Sequence, residues 1–422
     1  MSNFTHSLSN SWLKLPHSRR QFIQYLGWTT AGILAACTAP SNRTADPNQP
    51  VRIGAMYLLT GGFATYGEFA RDGINLAVEE INTQGGINRR SVEVLFEHEA
   101  DSVQTARRLV LEENVDFLIG IDSSGNAEAL VPTIPELGRI LMVTHAASPK
   151  VTGDLCNPYV FRCSVNGPQN ATAGAEIAAK EDYLKWTTIG PDYAFGHQSW
   201  EYFQQAAQAR KPGIKFLEKT AFPKLGAEDY NSFIAVLQRS GAEAIWCSLW
   251  GNDLVNFVRQ SRQFGLFEQF PVYMELGAAM EVLQALGEEM PIGQWVGTRY
   301  WWQTPNTEIN RNFVQQFRDR YNTYPSYNAE NAYVGLHLLA AAANEAGTTE
   351  TDGVIAALEG RTYEAPMGRL TLRAEDHQAV VDVPWGQTAE DSEYDFRLLN
   401  PIQVATGTSV TRSVTATGCQ IS

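Results

Sequence analysis

Along this chain, short apolar runs alternate with stretches whose apolar residues recur every three or four positions. Val51-Arg52-Ile53-Gly54-Ala55-Met56 reads as a strand. Residues 67–81 carry Phe69, Ala70, Ile74, Ala77, Val78 and Ile81 at helical spacing, and Gly85-Gly86 stops that helix. Strands follow at 92–96, 115–119 and 140–143, with helices at 105–113 and 127–137. The pattern restarts with helices at 170–183, 198–209, 233–239 and 254–264, and strands at 186–189, 214–218, 244–247 and 272–274. This alternation, run twice, predicts an α/β fold of two parallel, doubly wound layers. The halves share an element order and no visible sequence repeat.

The first 37 residues follow a different logic. Ser18-Arg19-Arg20-Gln21-Phe22-Ile23 is a twin-arginine pattern, and the apolar stretch 22–36 ends in Leu34-Ala35-Ala36-Cys37, which resembles a bacterial lipobox. That stretch is too short and too polar for a comfortable membrane span, so 1–37 reads as an export signal with Cys37 as the lipidation site. Residues 38–50, with Pro40, Pro47 and Pro50 among Ser, Asn and Thr, read as a flexible tether. No later segment is apolar enough to cross a bilayer.

Charge removes one class of partner. The chain has 32 Lys and Arg against 46 Asp and Glu, a formal net charge of −14. The signal holds Lys14, Arg19 and Arg20 and no acid before Cys37, so the body is more acidic still. Such a surface repels phosphate backbones, and no nucleic-acid partner is expected. Apart from Cys37, the cysteines are Cys156, Cys163, Cys247 and Cys419, with no CxxC pair to suggest zinc. Cys247 lies in the apolar run Ala244-Ile245-Trp246-Cys247 and reads as a buried thiol. A Cys156–Cys419 disulfide would tie the polar tail, 406–422, to the body; Cys156–Cys163 is the alternative.

In parallel α/β layers the ligand crevice lies at the carboxyl ends of the strands, and the notable residues fall there. Tyr66 follows the first strand, Ser123 and Ser124 follow Gly120, and Ala146-Ala147-Ser148 follow 140–143. Phe195 follows 186–189, Trp250 follows Cys247, and Glu275 follows Met274. Hydroxyls and amides at a helix start suit a carboxylate, an acid suits an ammonium group, and rings can close over a side chain.

The order of several short motifs resembles the type I periplasmic binding proteins of the Leu/Ile/Val-binding family. They are Thr60-Gly61-Gly62, Tyr66-Gly67, Asn82-Thr83-Gln84-Gly85-Gly86-Ile87, Gly120 with Ser123-Ser124, and Ala146 to Ser148. Asp192 with Phe195-Gly196 and Tyr327-Asn328-Ala329 with Ala332-Tyr333 continue the series, which spans about 51–380. The resemblance implies two Rossmann-like lobes joined by a three-strand hinge and closing on a ligand. Lobe one would be 51–166 and 298–364, and lobe two 167–297 and 365–422 with the tail, the chain crossing near 167, 297 and 365. It implies a solute-binding protein that hands a small molecule, foremost an amino acid, to the permease and ATPase subunits of an ABC importer. Aromatic carboxylates, amides and urea are alternative ligands, and a ligand-sensing receptor subunit is the alternative role. By position, Ser124, Ala146 and Ser148 would meet the ligand carboxylate and Glu275 its ammonium, with Tyr66, Phe195 and Trp250 against its side chain.

Each of these residues also has a purely structural reading. Ser123 and Ser124 can cap the next helix, Ser148 can stabilise the turn before Pro149, the rings can be core, and Glu275 can be a solvated loop acid. Tyr300-Trp301-Trp302 reads as hinge packing rather than cleft lining. Glu97-His98-Glu99-Ala100-Asp101 lacks the spacing of a metal site, and Glu68 stands where a phosphate-binding loop needs lysine. Ser123 lacks the frame of a hydrolase nucleophile, so neither a cofactor nor an enzyme is expected. The anchoring expectation has a direct check. Cys37→Ser should release the body from membranes or block processing, read by membrane partitioning and by the mass of the mature protein.

Overall fold

The structure is a computed structural model describing residues 49–421; the twin-arginine segment and Cys37 lie outside them. Strand β1 (Val51–Tyr57) is buried along nearly its whole length, as a central parallel strand covered on both faces must be. It pairs in parallel with β2 (Val92–His98) and β3 (Phe117–Gly120), and β4 (Ile140–Val143) and β5 (Val160–Arg162) extend the sheet beyond β3. The strand order is therefore 2-1-3-4-5. The chain then repeats it. Strands β6 (Lys185–Ile189), β7 (Lys215–Phe216), β8 (Ala244–Cys247), β9 (Val272–Met274) and β10 (Trp295–Gly297) are parallel in the order 7-6-8-9-10.

After β10 the chain returns to the first lobe, where the helix Tyr327–Ala346 packs along the helix Ala64–Thr83. The backbones are close: a Cβ on Gly73 would sit 2.0 Å from the Ala329 carbonyl oxygen, so this contact admits only glycine. Strands β11 (Thr362–Ala365), β12 (Gly368–Leu372) and β13 (Ala379–Val380) form a small antiparallel sheet. Strands β14 (Val383–Ala389) and β15 (Leu398–Ala405) then run antiparallel beyond β10. The result is two α/β lobes linked by three passages of chain.

Several sequence expectations change. The third passage, expected near 365, reaches the second sheet only at Val383. Residues 362–380 are spent on the small sheet, whose end lies beside β5 through a bridge between Arg162 and Gln378. The single helix expected at 127–137 is the helix Ser124–Leu130, a tighter turn Val131–Thr133 and the short helix Ile134–Leu137. Pro132 and Pro135 lack the N–H that a continuous helix needs there. The strand expected at 214–218 is only Lys215–Phe216. The tail forms two short helices, Gly407–Val410 and Val414–Thr417, with Val410 buried. Arg412 reaches from it to the Tyr202 hydroxyl at 3.1 Å, and Cys419 is disulfide-bonded to Cys156. Cys163 and Cys247 are buried free thiols.

Glu330, on the helix Tyr327–Ala346, is fully buried; one carboxyl oxygen accepts from Met367 N at 3.0 Å and the other has no partner. Burial pushes its carboxyl up to about 8, so the folded chain holds a proton that the unfolded chain releases above its ordinary value of 4.5. Stability from this group is intact below that value and declines as pH rises towards 8. Glu330→Gln should therefore melt close to wild type at pH 4.5 and above it at pH 8, by roughly 2–4 kcal/mol. A melting-temperature difference that stays flat between these pH values would refute it.

Candidate functional site

In both sheets the strand order reverses between the first and third strands, and a crevice opens where their following loops part. The two crevices face one another. From the first lobe come Tyr66 after β1, Asp122 and Ser124 after β3, His145 and Ala147 after β4, and Tyr327 at the start of its helix. From the second come Tyr193 and Phe195 after β6, Trp250 after β8 and Leu276 after β9, and Arg299 follows β10. The volume left between them is about 20 Å³, so the two walls nearly touch.

Direct contacts hold the walls together. Gly251 N donates to the Tyr66 hydroxyl at 3.0 Å, and the Phe63 and Trp250 rings lie 4.2 Å apart. Gly251 has φ +54°, and a Cβ there would approach the Phe63 ring to 2.8 Å, so both its conformation and its neighbours require glycine. Gln198 donates across to Glu128 at 3.0 Å. On the second-lobe helix Met280–Leu286, Glu281 accepts from Ser326 Oγ at 2.6 Å and Asn328 Nδ2 at 2.7 Å, both at the start of the first-lobe helix. Burial pushes the Glu281 carboxyl up to about 7, against those hydrogen bonds.

The charged groups beneath the cavity are mostly spoken for. Asp122 accepts from Leu58 N at 2.7 Å and lies 2.5 Å from His145 Nδ1. His145 Nε2 lies 2.9 Å from the Asn328 carbonyl oxygen; a carbonyl only accepts, so Nε2 carries a proton. Under Asp122, the buried Glu99 carboxylate takes the Asp122 and Ser123 amides at 2.6 and 2.8 Å. Burial and the neighbouring Asp122 hold the Glu99 carboxyl well above the usual range.

Arg299 is the exception. It is 3% exposed, donates to the His145 carbonyl and lies over the Tyr327 ring at 5.1 Å. Its Nε has no hydrogen-bond partner among the described residues. Trp250 Nε1 is also buried, and its side chain lies against the Tyr193 hydroxyl. The helices Ala64–Thr83, Ala194–Arg210 and Gly251–Gln263 begin beside the cavity and add their positive ends. This arrangement suits an anion.

Of the residues singled out from sequence, Tyr66, Ser124, Ala147, Phe195 and Trp250 line the cavity. Ser123 instead caps the helix Ser124–Leu130, accepting from Asn126 N at 3.5 Å. Ala146 is buried, its amide bound to the Ile121 carbonyl at 2.8 Å. Ser148 donates to Glu128 at 2.6 Å and accepts from Lys150 N in the turn. Glu275 lies behind the wall that Leu276 forms. Its carboxylate accepts from Ser199 Oγ and, at 3.5 Å, from Asn170 Nδ2, and burial pushes it up to about 7. It is fully buried, not a solvated loop acid. Sequence reasoning passed over Asp122, His145, Tyr193 and Arg299, although the same strand-end rule applied to β3, β4, β6 and β10 reaches all four.

Comparison with known proteins places this geometry. Residues 50–393 match the family described as periplasmic binding protein. The Leu/Ile/Val-binding protein homolog 4 of Brucella melitensis biotype 1 is 22% identical over 366 residues, covering 83% of this chain and 86% of that one. The amino acid ABC transporter substrate-binding protein of Pseudomonas fluorescens Pf-5 superposes with a TM-score of 0.79 at 23% identity, over 88% of this chain and 99% of that one. A solute-binding protein of an ABC transporter from Rhodopseudomonas palustris HaA2, solved with p-hydroxybenzoic acid, gives 0.77 at 21% identity, over 85% and 98%.

The bridges between the walls make a prediction that needs no ligand. Tyr66→Phe combined with Glu281→Ala removes three hydrogen bonds between lobes, at about 1 kcal/mol each. The double variant should populate a more open form, with a larger radius of gyration in small-angle X-ray scattering. A scattering curve identical to wild type would show that these contacts do not hold the lobes together.

Proposed function

The chain belongs to the periplasmic binding protein family, a family of exported proteins, and from that premise we propose that it captures a small carboxylate between its lobes and delivers it to an ABC importer. The observation that carries this reading is the cavity at the two facing switch points, walled by rings and holding buried Arg299, whose Nε has no hydrogen-bond partner among the described residues. A carboxylate there would complete the guanidinium's hydrogen bonds, with Ser124 and the Ala147 segment on the opposite side. Contacts to both lobes exist only when they are closed, so such a ligand favours the closed form. The closed form is what an importer's permease and ATPase would read. Cys37 would anchor the receptor to the membrane, and 38–50 would let it move on its tether.

Two ligand classes carry the required carboxylate. α-Amino acids fit the names of the Brucella and Pseudomonas relatives; in that reading Glu275 would have to leave Ser199 and Asn170 to meet an ammonium group. Aromatic acids fit the Rhodopseudomonas complex and the rings of Tyr66, Tyr193, Phe195, Trp250 and Tyr327. A thermal-shift screen of amino acids, aromatic carboxylates, amides and urea tests the common core of both. At a hundredfold excess over Kd a true ligand adds about 2.7 kcal/mol of stability. At least one carboxylate should raise Tm accordingly, and a response confined to urea or neutral amides would overturn the reading.

A further inference from the structure

The tail is seated on both lobes. Its first helix, Gly407–Val410, follows β15 and packs beside the helix Gly167–Ala178 that opens lobe two. Gly407 N donates to Asp382 Oδ1 at 2.8 Å, Thr411 Oγ1 accepts from Gln169 Nε2 at 2.8 Å, and Val410 is buried. A Cβ on Gly407 would sit 2.6 Å from Val381 N, so this end lies backbone against backbone. The second helix, Val414–Thr417, lies on lobe one. It packs against the turn Pro149–Thr152, and a Cβ on Gly153 would sit 2.6 Å from the Thr417 carbonyl oxygen. Two residues further on, Cys419 is bonded to Cys156, which lies between β4 and β5 of lobe one.

Between the two seats the chain is short. Three residues, 411–413, join the helices, and fully extended they reach only about 10 Å. Arg412, in the middle, is shared between the sides. Its Nη1 donates to the Tyr202 hydroxyl, on the second-lobe helix Ala194–Arg210, at 3.1 Å and to the Ala416 carbonyl of the tail helix at 3.0 Å. The Tyr202 ring lies under the guanidinium at 5.1 Å. The second tail helix buries only Thr417. Four residues with so little burial do not stay helical or docked by themselves, so the disulfide is what keeps them on lobe one.

We propose that residues 406–419 are a fourth crossing between the lobes, closed by the Cys156–Cys419 disulfide, and that this strap limits how far the lobes open. The three passages of the hinge permit rotation. The strap resists it from one edge, because opening moves Tyr202, on one lobe, relative to the tail helix fixed to the other. A restraint that penalises open states and leaves the closed one intact raises the closed fraction of the free protein. The disulfide thus acts on lobe motion in the folded protein, in addition to its usual effect on the unfolded chain.

Hydrogen exchange on the intact protein without solute reads the opening. The Gly251 amide is bound to the Tyr66 hydroxyl of the facing lobe, so it exchanges when the lobes part. The Glu275 amide is bound to the Cys247 carbonyl within lobe two, and reports unfolding of that lobe instead. Cys419→Ser should speed exchange at Gly251 at least tenfold relative to Glu275, and enlarge the radius of gyration in small-angle X-ray scattering. Loss of the disulfide also destabilises the fold, so a second variant keeps it. A Gly-Ser-Gly-Ser insertion between Ser413 and Val414 lengthens the strap flexibly and should speed Gly251 in the same way. If Gly251 keeps its wild-type rate in either folded variant, or Glu275 speeds up equally, the tail is only a stability clamp and the inference falls. No solute enters the measurement, so the solute-receptor reading stands or falls separately.

Discussion

A guanidinium buried in a protein interior without a carboxylate is costly, and Arg299 is held in that condition by its surroundings. Its Nη1 is fixed on the His145 carbonyl and its plane lies against Tyr327. Those partners belong to the first lobe, whereas Arg299 itself follows β10 of the second. One side chain thus ties the end of the second sheet to the β4 loop and to the helix that starts at Tyr327. Arg162, fully buried nearby, donates to the Ser148 carbonyl and to Gln378. Burial together with the charges of Arg299 and Arg412 lowers its pKa to about 9. Positive charge is concentrated here, offset at longer range by Glu275 beside Arg299 and by Asp376 beside Arg162.

The topology explains why that charge meets a cavity. A 2-1-3-4-5 order leaves the loops after the first and third strands diverging to opposite faces, and the gap between them is the only place where a strand-end crevice forms. Repeating the order in each lobe yields two such gaps, and the hinge sets them opposite one another. Helices leaving these strands start at the gap, so their unpaired N–H groups face it. The fold therefore biases the site towards anions before any side chain is chosen.

Much of this was legible from sequence because it is local. The βα alternation is a pattern within short windows, and the strand-end rule turned it into Tyr66, Ser124, Ala147, Phe195 and Trp250 without knowledge of any contact. What escaped is non-local or too short to carry a period. The alternation read from sequence ended with the strand at 272–274, so β10 (Trp295–Gly297) and the Arg299 that follows it were not reached. Glu275 stood at a proper strand end, yet its carboxylate is turned to Ser199 and Asn170, which are 76 and 105 residues away in sequence. The Asp122–His145 pair joins two loops through the sheet, and neither residue announces the other. The small sheet at 362–380 delayed the third passage, because an antiparallel hairpin occupies the connection where the family resemblance implied a crossing near 365.

Closure then depends on a hinge that is polar as well as strand-like. Gln378 accepts from Thr152 at 2.9 Å and Asn166 at 3.1 Å, and donates to the Ser164 carbonyl at 2.9 Å. It therefore joins the first passage between lobes to the third. Asn166 caps the helix that opens the second lobe, in a reciprocal pairing with Gln169, and Gln169 in turn reaches the Ala379 carbonyl and Thr411. Amides suit this place because each both donates and accepts, so the network can be fully satisfied without adding charge beside Arg162. The hinge keeps the lobes in register while leaving the charge balance to be completed at the cavity. That division separates the satisfied polar network of the hinge from the cavity, where Arg299 Nε has no hydrogen-bond partner among the described residues.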